Sequence, residues 1–159
     1  MVDVRVVIGI VEHIGDLAAQ VDTAGGEVPH KALRLIRGDY FACDFGRGAF
    51  DAVVSFESLH HFPRAQKLGL YRRVFAALRP GGAFCNGDYM VETEAEEEAL
   101  AREAARLRAE ARVPEGVFVH LDTPLAIAAE EALLRQAGFS NVERLLREGN
   151  TTLLRAERD

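Results

Sequence analysis

FDAVVSFESLHHFPRAQKLGLYRRVFAALRPGG, residues 50–82, reads as a strand, a polar loop, an amphipathic helix and a sharp turn in immediate succession. Ala52, Val53 and Val54 form an apolar run between Asp51 and Ser55, flanked by Phe50 and Phe56, which suits a strand covered on both faces in a parallel sheet. Leu68, Tyr71, Phe75 and Leu78 then fall in one row, with Leu70 and Val74 beside it. That stripe has helical period and predicts one face packed against a sheet. Arg79-Pro80-Gly81-Gly82 predicts the helix stop, because proline disfavours helical geometry at its predecessor and glycine accepts the positive φ of a tight turn. A further strand is expected from Ala83 to Met90.

Toward the N-terminus, Val4 to Val11 is rich in β-branched residues and predicts a strand ending at Glu12. Ile14, Leu17, Ala18 and Val21 share a helical face, and Ala32 to Ile36 offers another short strand closed by Arg37-Gly38-Asp39. Toward the C-terminus, Glu92 to Arg112 carries its glutamates early and its arginines late, the order that complements a helix macrodipole. This helix is expected to be solvated on most of its surface, with Leu100, Ala104, Leu107 and Ala111 as a face that would let it act as a lid. Thr123-Pro124 opens a further turn or helix whose stripe is Ile127, Leu133, Leu134 and Ala137, and Gly138 stops it. Val142 to Arg147 and Thr151 to Glu157 are short strands joined closely enough for an antiparallel hairpin.

The 159 residues are most economically one domain, 1–159, and no apolar segment approaches the roughly 20 residues that cross a bilayer. No membrane partner and no secretion signal are expected. Cys43 and Cys85 stand far apart in no paired motif, which favours a reducing compartment, with the cytoplasm as default. A net charge of -6 argues against a nucleic-acid partner.

The order Gly38-Asp39, FDAVVSFESLHHF, LRPGG and LLRQAGFSNVE resembles the class I S-adenosylmethionine-dependent methyltransferases over roughly residues 4–159. The resemblance implies an α/β, Rossmann-like sheet, mostly parallel with a C-terminal antiparallel hairpin. It also implies methyl transfer from S-adenosylmethionine to a small-molecule acceptor. Glu12 would bind the ribose hydroxyls of the cofactor, and Gly38-Asp39 would place a carboxylate near the adenine amino group, with Tyr40 and Ser55 beside them. Both acids also fall at strand ends, where open α/β sheets bind ligands. The family's first strand and glycine-rich loop are missing before residue 4, and no GxGxG occurs. The sheet is then expected to lack its central strand, so that its neighbours close up or something fills the gap, a second copy of the chain being one candidate.

His60 and His61 are the candidate catalytic residues, because imidazole titrates near neutrality and suits orienting or deprotonating an acceptor. They equally suit a helix cap and a solvent-facing ring. Glu57, His120 and Asp122 are candidates for acceptor binding, although Asp122 and Thr123 also suit a local turn. Phe41, Tyr89 and Met90 either border a ligand or belong to the core. Two other functions compete: a non-catalytic, self-associating module, and a metal-dependent hydrolase built on His60, His61, His120 and Asp122. The last ranks lowest, since adjacent histidines point apart on most backbones and no metal-binding spacing is present.

Overall fold

In the computed structural model the described residues are 6–9 and 41–159. Glu12, Gly38, Asp39 and Tyr40, with the helix expected around 14–21 and the strand around 32–36, lie outside them. The elements are β1 (Val6–Gly9), β2 (Phe50–Phe56), α1 (Arg64–Ala77), β3 (Leu78–Tyr89), α2 (Glu94–Glu110), α3 (Ile127–Ala137), β4 (Asn141–Glu148) and β5 (Thr151–Glu157). The described sheet runs β1-β2-β3-β5-β4. β1 with β2 and β2 with β3 are parallel, whereas β3 with β5 and β5 with β4 are antiparallel, so the sheet is mixed.

No gap separates β1 from β2. Val6 faces Ala52 and Gly9 faces Ser55 in a direct parallel ladder. Of the two outcomes expected for this part of the sheet, the structure shows β1 pairing directly with β2. This removes one unpaired edge that motivated self-association.

The helix and strand around the RPGG turn meet earlier than the sequence predicts. Leu78 is expected in the helical stripe, but its backbone is extended, with φ -70 and ψ 151, and it pairs with Phe50 at the start of β3. The register between β2 and β3 shifts between Phe50 and Ala52, which accommodates Pro80 and Gly81 inside the strand. Gly81 there has φ 79, a conformation that disfavours a side chain.

α1 and α3 cover one sheet face. Leu70, Tyr71, Val74, Leu133 and Leu134 pack in one cluster with Val53 of β2, Phe84 of β3 and Leu154 and Ala156 of β5. Burial of each large apolar side chain contributes roughly 1.5–3 kcal/mol. α3 stops where expected, because Gly138 adopts φ 118 and a Cβ there would lie 3.2 Å from the Phe75 ring. Between the two helices the interior is charged: Lys67 Nζ donates to both Glu130 oxygens at 3.1 and 3.2 Å, and Tyr71 donates its hydroxyl to Glu130 Oε1. All three are fully buried.

α2 begins with a capping box in which Glu96 N–H donates to Thr93 Oγ1 and Thr93 N–H to Glu96 Oε2. Only Ala104 of this helix is buried, so the solvated reading holds for most of its length. Its base is anchored by Glu97, which accepts from Arg64 of α1 and from Ala126 N–H at the N-cap of α3. No helix among the described residues is long and apolar enough to cross a membrane.

Candidate functional site

The parallel pairing of β2 with β3 brings the carboxyl ends of both strands to one edge, the edge where open α/β sheets hold ligands. The loop of residues 57–63 leaves β2 at this edge, and Asp88 and Tyr89 close β3 beside it. Glu57 begins the loop with φ 47, a left-handed conformation that disfavours a side chain. Its N–H donates to the Gly87 carbonyl at 2.7 Å and its carboxylate accepts from Thr151 Oγ1 at 2.6 Å. Glu57 is thus held between β3 and the start of β5.

Asp88 organises the rest. Its Oδ1 accepts from His60 Nδ1 at 2.6 Å and from Tyr89 N–H at 3.0 Å, while Oδ2 accepts from Leu59 N–H at 3.0 Å. The side chain has no exposed surface. Donation from Nδ1 fixes the His60 tautomer and leaves a lone pair on Nε2. Burial opposes a charge on His60, yet the hydrogen bond and charge of Asp88, helped by Asp122 and Glu57, outweigh it and raise the imidazole pKa above 6.5.

Both histidines are buried, so neither is the solvent-facing ring of the competing reading. Their ring centroids lie 3.9 Å apart, and the His120 centroid lies 4.0 Å from that of His61. Adjacent histidines here converge rather than diverge, contrary to the expectation from backbone geometry. Thr123 N–H and hydroxyl both donate to the His60 carbonyl, at 2.9 and 3.1 Å, which pins the segment His120 to Thr123 over the loop. Asp122 Oδ1 consequently sits 3.5 Å from His60 Nε2 and 3.3 Å from His61 Nδ1. The turn closed by Asp122 and Thr123 gives way to a contact between distant segments.

His60, His61, His120, Asp122 and Glu57 therefore come together as one cluster. Ser55 lies at the expected strand end, but it is buried and its hydroxyl lies 3.0 Å from that of Ser58, inside the protein. Around the cluster, Phe62 packs edge-on to Phe41 and stacks on the exposed Phe118. Tyr89 and Met90 line a cleft of about 350 Å³ together with Glu92, Glu96, Leu100 and Arg147. Asp88 was absent from the sequence-derived candidates. Its signal was present, since Phe84, Asn86 and Asp88 alternate onto one face of a strand and put two polar groups where the core is expected.

A family model described as a methyltransferase domain matches residues 13–82. A sterol 24-C-methyltransferase of Gibberella zeae is 31% identical over 75 residues, which is 47% of this chain and 19% of that protein. The sterol 24-C-methyltransferase of Candida albicans is 38% identical over 55 residues, 35% of this chain and 14% of that protein. The chain thus matches about a fifth or less of the length of these relatives. Among solved structures, an O-methyltransferase family 2 protein from Planctomyces limnophilus, complexed with apigenin, superposes with a TM-score of 0.69 at 15% identity, covering 97% of this chain and 42% of that one. PigF with SAH gives 0.65 at 18% identity, covering 96% and 42%. These structural likenesses show the fold. Residues 13–82 are thus similar to a methyltransferase domain, and the described sheet and helices have the fold of the methyltransferases they superpose on.

Proposed function

We propose that this chain carries the methyl-transfer site of an S-adenosylmethionine-dependent enzyme acting on a small-molecule hydroxyl acceptor, with His60 as general base. The observation that carries the reading is the buried Asp88 carboxylate holding His60 Nδ1, so that Nε2 faces the side opened by Asp122. The cofactor would lie at the carboxyl ends of β1 and β2, which pair side by side with Gly9 opposite Ser55. Glu12 follows β1 by three residues and would hold the ribose hydroxyls, while Gly38, Asp39 and Tyr40 would hold the adenine. When bound, the cofactor supplies a methyl group already activated on a sulfonium, so no protein nucleophile is required. His60 Nε2 takes the acceptor proton, the charge of Asp88 stabilises the resulting imidazolium, and Glu57, His120 and Asp122 position the acceptor. The sterol and apigenin named for the relatives agree with an acceptor of small-molecule size. The free thiols of Cys43 and Cys85 favour a cytoplasmic setting.

Calorimetric titration with S-adenosylhomocysteine, paired with a turnover assay on an acceptor panel, tests the reading. Heat is expected from both the parent chain and His60→Gln, with methyl transfer falling by about 10²–10⁴-fold in the variant. A folded chain that gives no heat at millimolar ligand, or a His60→Gln variant that turns over like the parent, overturns it.

A further inference from the structure

Three potential ligand atoms in this cluster already stand at metal-site spacing. His60 Nε2 and His61 Nδ1 approach the same Asp122 oxygen to 3.5 and 3.3 Å, and the donor atoms of all three side chains lie within 4.8 Å of one another. Donors around a tetrahedral zinc ion, with bonds of roughly 2.0–2.1 Å, are separated by about 3.3–3.4 Å. The two measured separations are close to edges of such a tetrahedron. A second, independent feature is the partner of His60: a ligating histidine ordinarily gives its other ring N–H to a carboxylate, and His60 Nδ1 does this to Asp88 at 2.6 Å. A third is access. Both histidine side chains are buried, whereas that of Asp122 is 51% exposed and gives an ion its way in.

We propose that His60 Nε2, His61 Nδ1 and Asp122 Oδ1 form a three-donor site for a divalent transition metal of the zinc type, with the fourth position left to water. His61 then carries its proton on Nε2 and exchanges its 3.3 Å contact with the Leu121 carbonyl for the metal. The ion occupies the same Nε2 lone pair that a general base needs, so metal binding and proton abstraction by His60 exclude each other. Nothing in this site requires S-adenosylmethionine, so ion binding is read without a methyl-transfer assay, and the metal-free chain is the form in which His60 would act as base.

Titration of the full chain with Co²⁺, followed by visible absorption, reads the site directly. The expected result is one equivalent bound with the intense d–d bands of four-coordinate cobalt, bleached by one equivalent of Zn²⁺. Asp122→Asn, at an exposed position that does not endanger the fold, is expected to weaken binding at least about tenfold. His61→Ala is expected to abolish the four-coordinate spectrum. A faint six-coordinate spectrum from the parent chain, or unchanged Co²⁺ affinity in Asp122→Asn, overturns the proposal. Titration of the same samples with S-adenosylhomocysteine reports on the cofactor separately.

Discussion

A buried imidazole should lose its proton more readily than one in water, and His60 does the reverse because of the groups that face it. Burial disfavours the imidazolium, but Asp88, Asp122 and Glu57 together favour it by more, so the folded-state pKa lies above the ordinary 6.5. The linkage follows in sign. A group whose pKa rises on folding stabilises the fold fully below its unfolded value, and this contribution fades as pH climbs from about 6.5 through the folded value. The same rise requires the base form, and hence kcat/KM, to grow over that window. Asp88→Asn removes the largest favourable partner and is expected to move the His60 midpoint downward, measured by NMR titration of the imidazole C–H. A midpoint unchanged in that variant would remove Asp88 from its positioning role. His60 and His61 stood out in the sequence as imidazoles after a buried strand, whereas His120 and Asp122 stood out only as a polar cluster in the segment HLDTP that equally suited a local turn. Asp88 left only the alternation of Phe84, Asn86 and Asp88 onto one strand face as its signal, and its role depends on donors, two of them backbone N–H groups, that side-chain type does not reveal.

The helices show how far periodicity reaches. The stripe of α1 identified Leu70, Tyr71 and Val74 as buried, and they are. Lys67 shares that face, four residues before Tyr71, although lysine is rarely fully buried unless paired. It is buried only because Glu130 of α3 arrives opposite it, a pairing between residues 63 positions apart. Burial, followed by the charge and hydrogen bond of Glu130, drives the Tyr71 pKa well above 10. Removing one member leaves an uncompensated charge inside the protein, so Lys67→Met is expected to cost about 3–5 kcal/mol in urea unfolding. Adding Glu130→Leu is expected to recover part of that loss, since the stranded carboxylate goes too. A Lys67→Met variant within 1 kcal/mol of the parent would show that the pair does little for stability.

Among the described residues, the order of elements was readable before any coordinates, whereas the way β1 meets β2 was not. Hydrophobic pattern identifies strands, but their neighbours depend on backbone ladders that leave no trace in side-chain type. The pinning of the C-terminal segment was equally hidden. Arg158 Nη1 donates to the carbonyls of Phe75, Ala76 and Leu78, at 2.8, 3.0 and 2.6 Å, where α1 hands over to β3. Its guanidinium also lies 4.8 Å from the centre of the Phe75 ring. A cation on the orphan carbonyls of a helix C-terminus stabilises it, and Arg158→Ala is expected to cost about 1–2 kcal/mol. The measurable effect is a Tm lowered by roughly 2–4 °C for each kcal/mol, and an unaltered melt would deny the cap any weight.

The two donors of Thr123 on one carbonyl have a mechanical consequence. Because that carbonyl belongs to His60, the strip bearing His120 and Asp122 is yoked to the strip bearing the paired imidazoles, and the opposing walls form a single jaw. Under the proposed function, a molecule wedged against either wall would press on the other through this shared carbonyl.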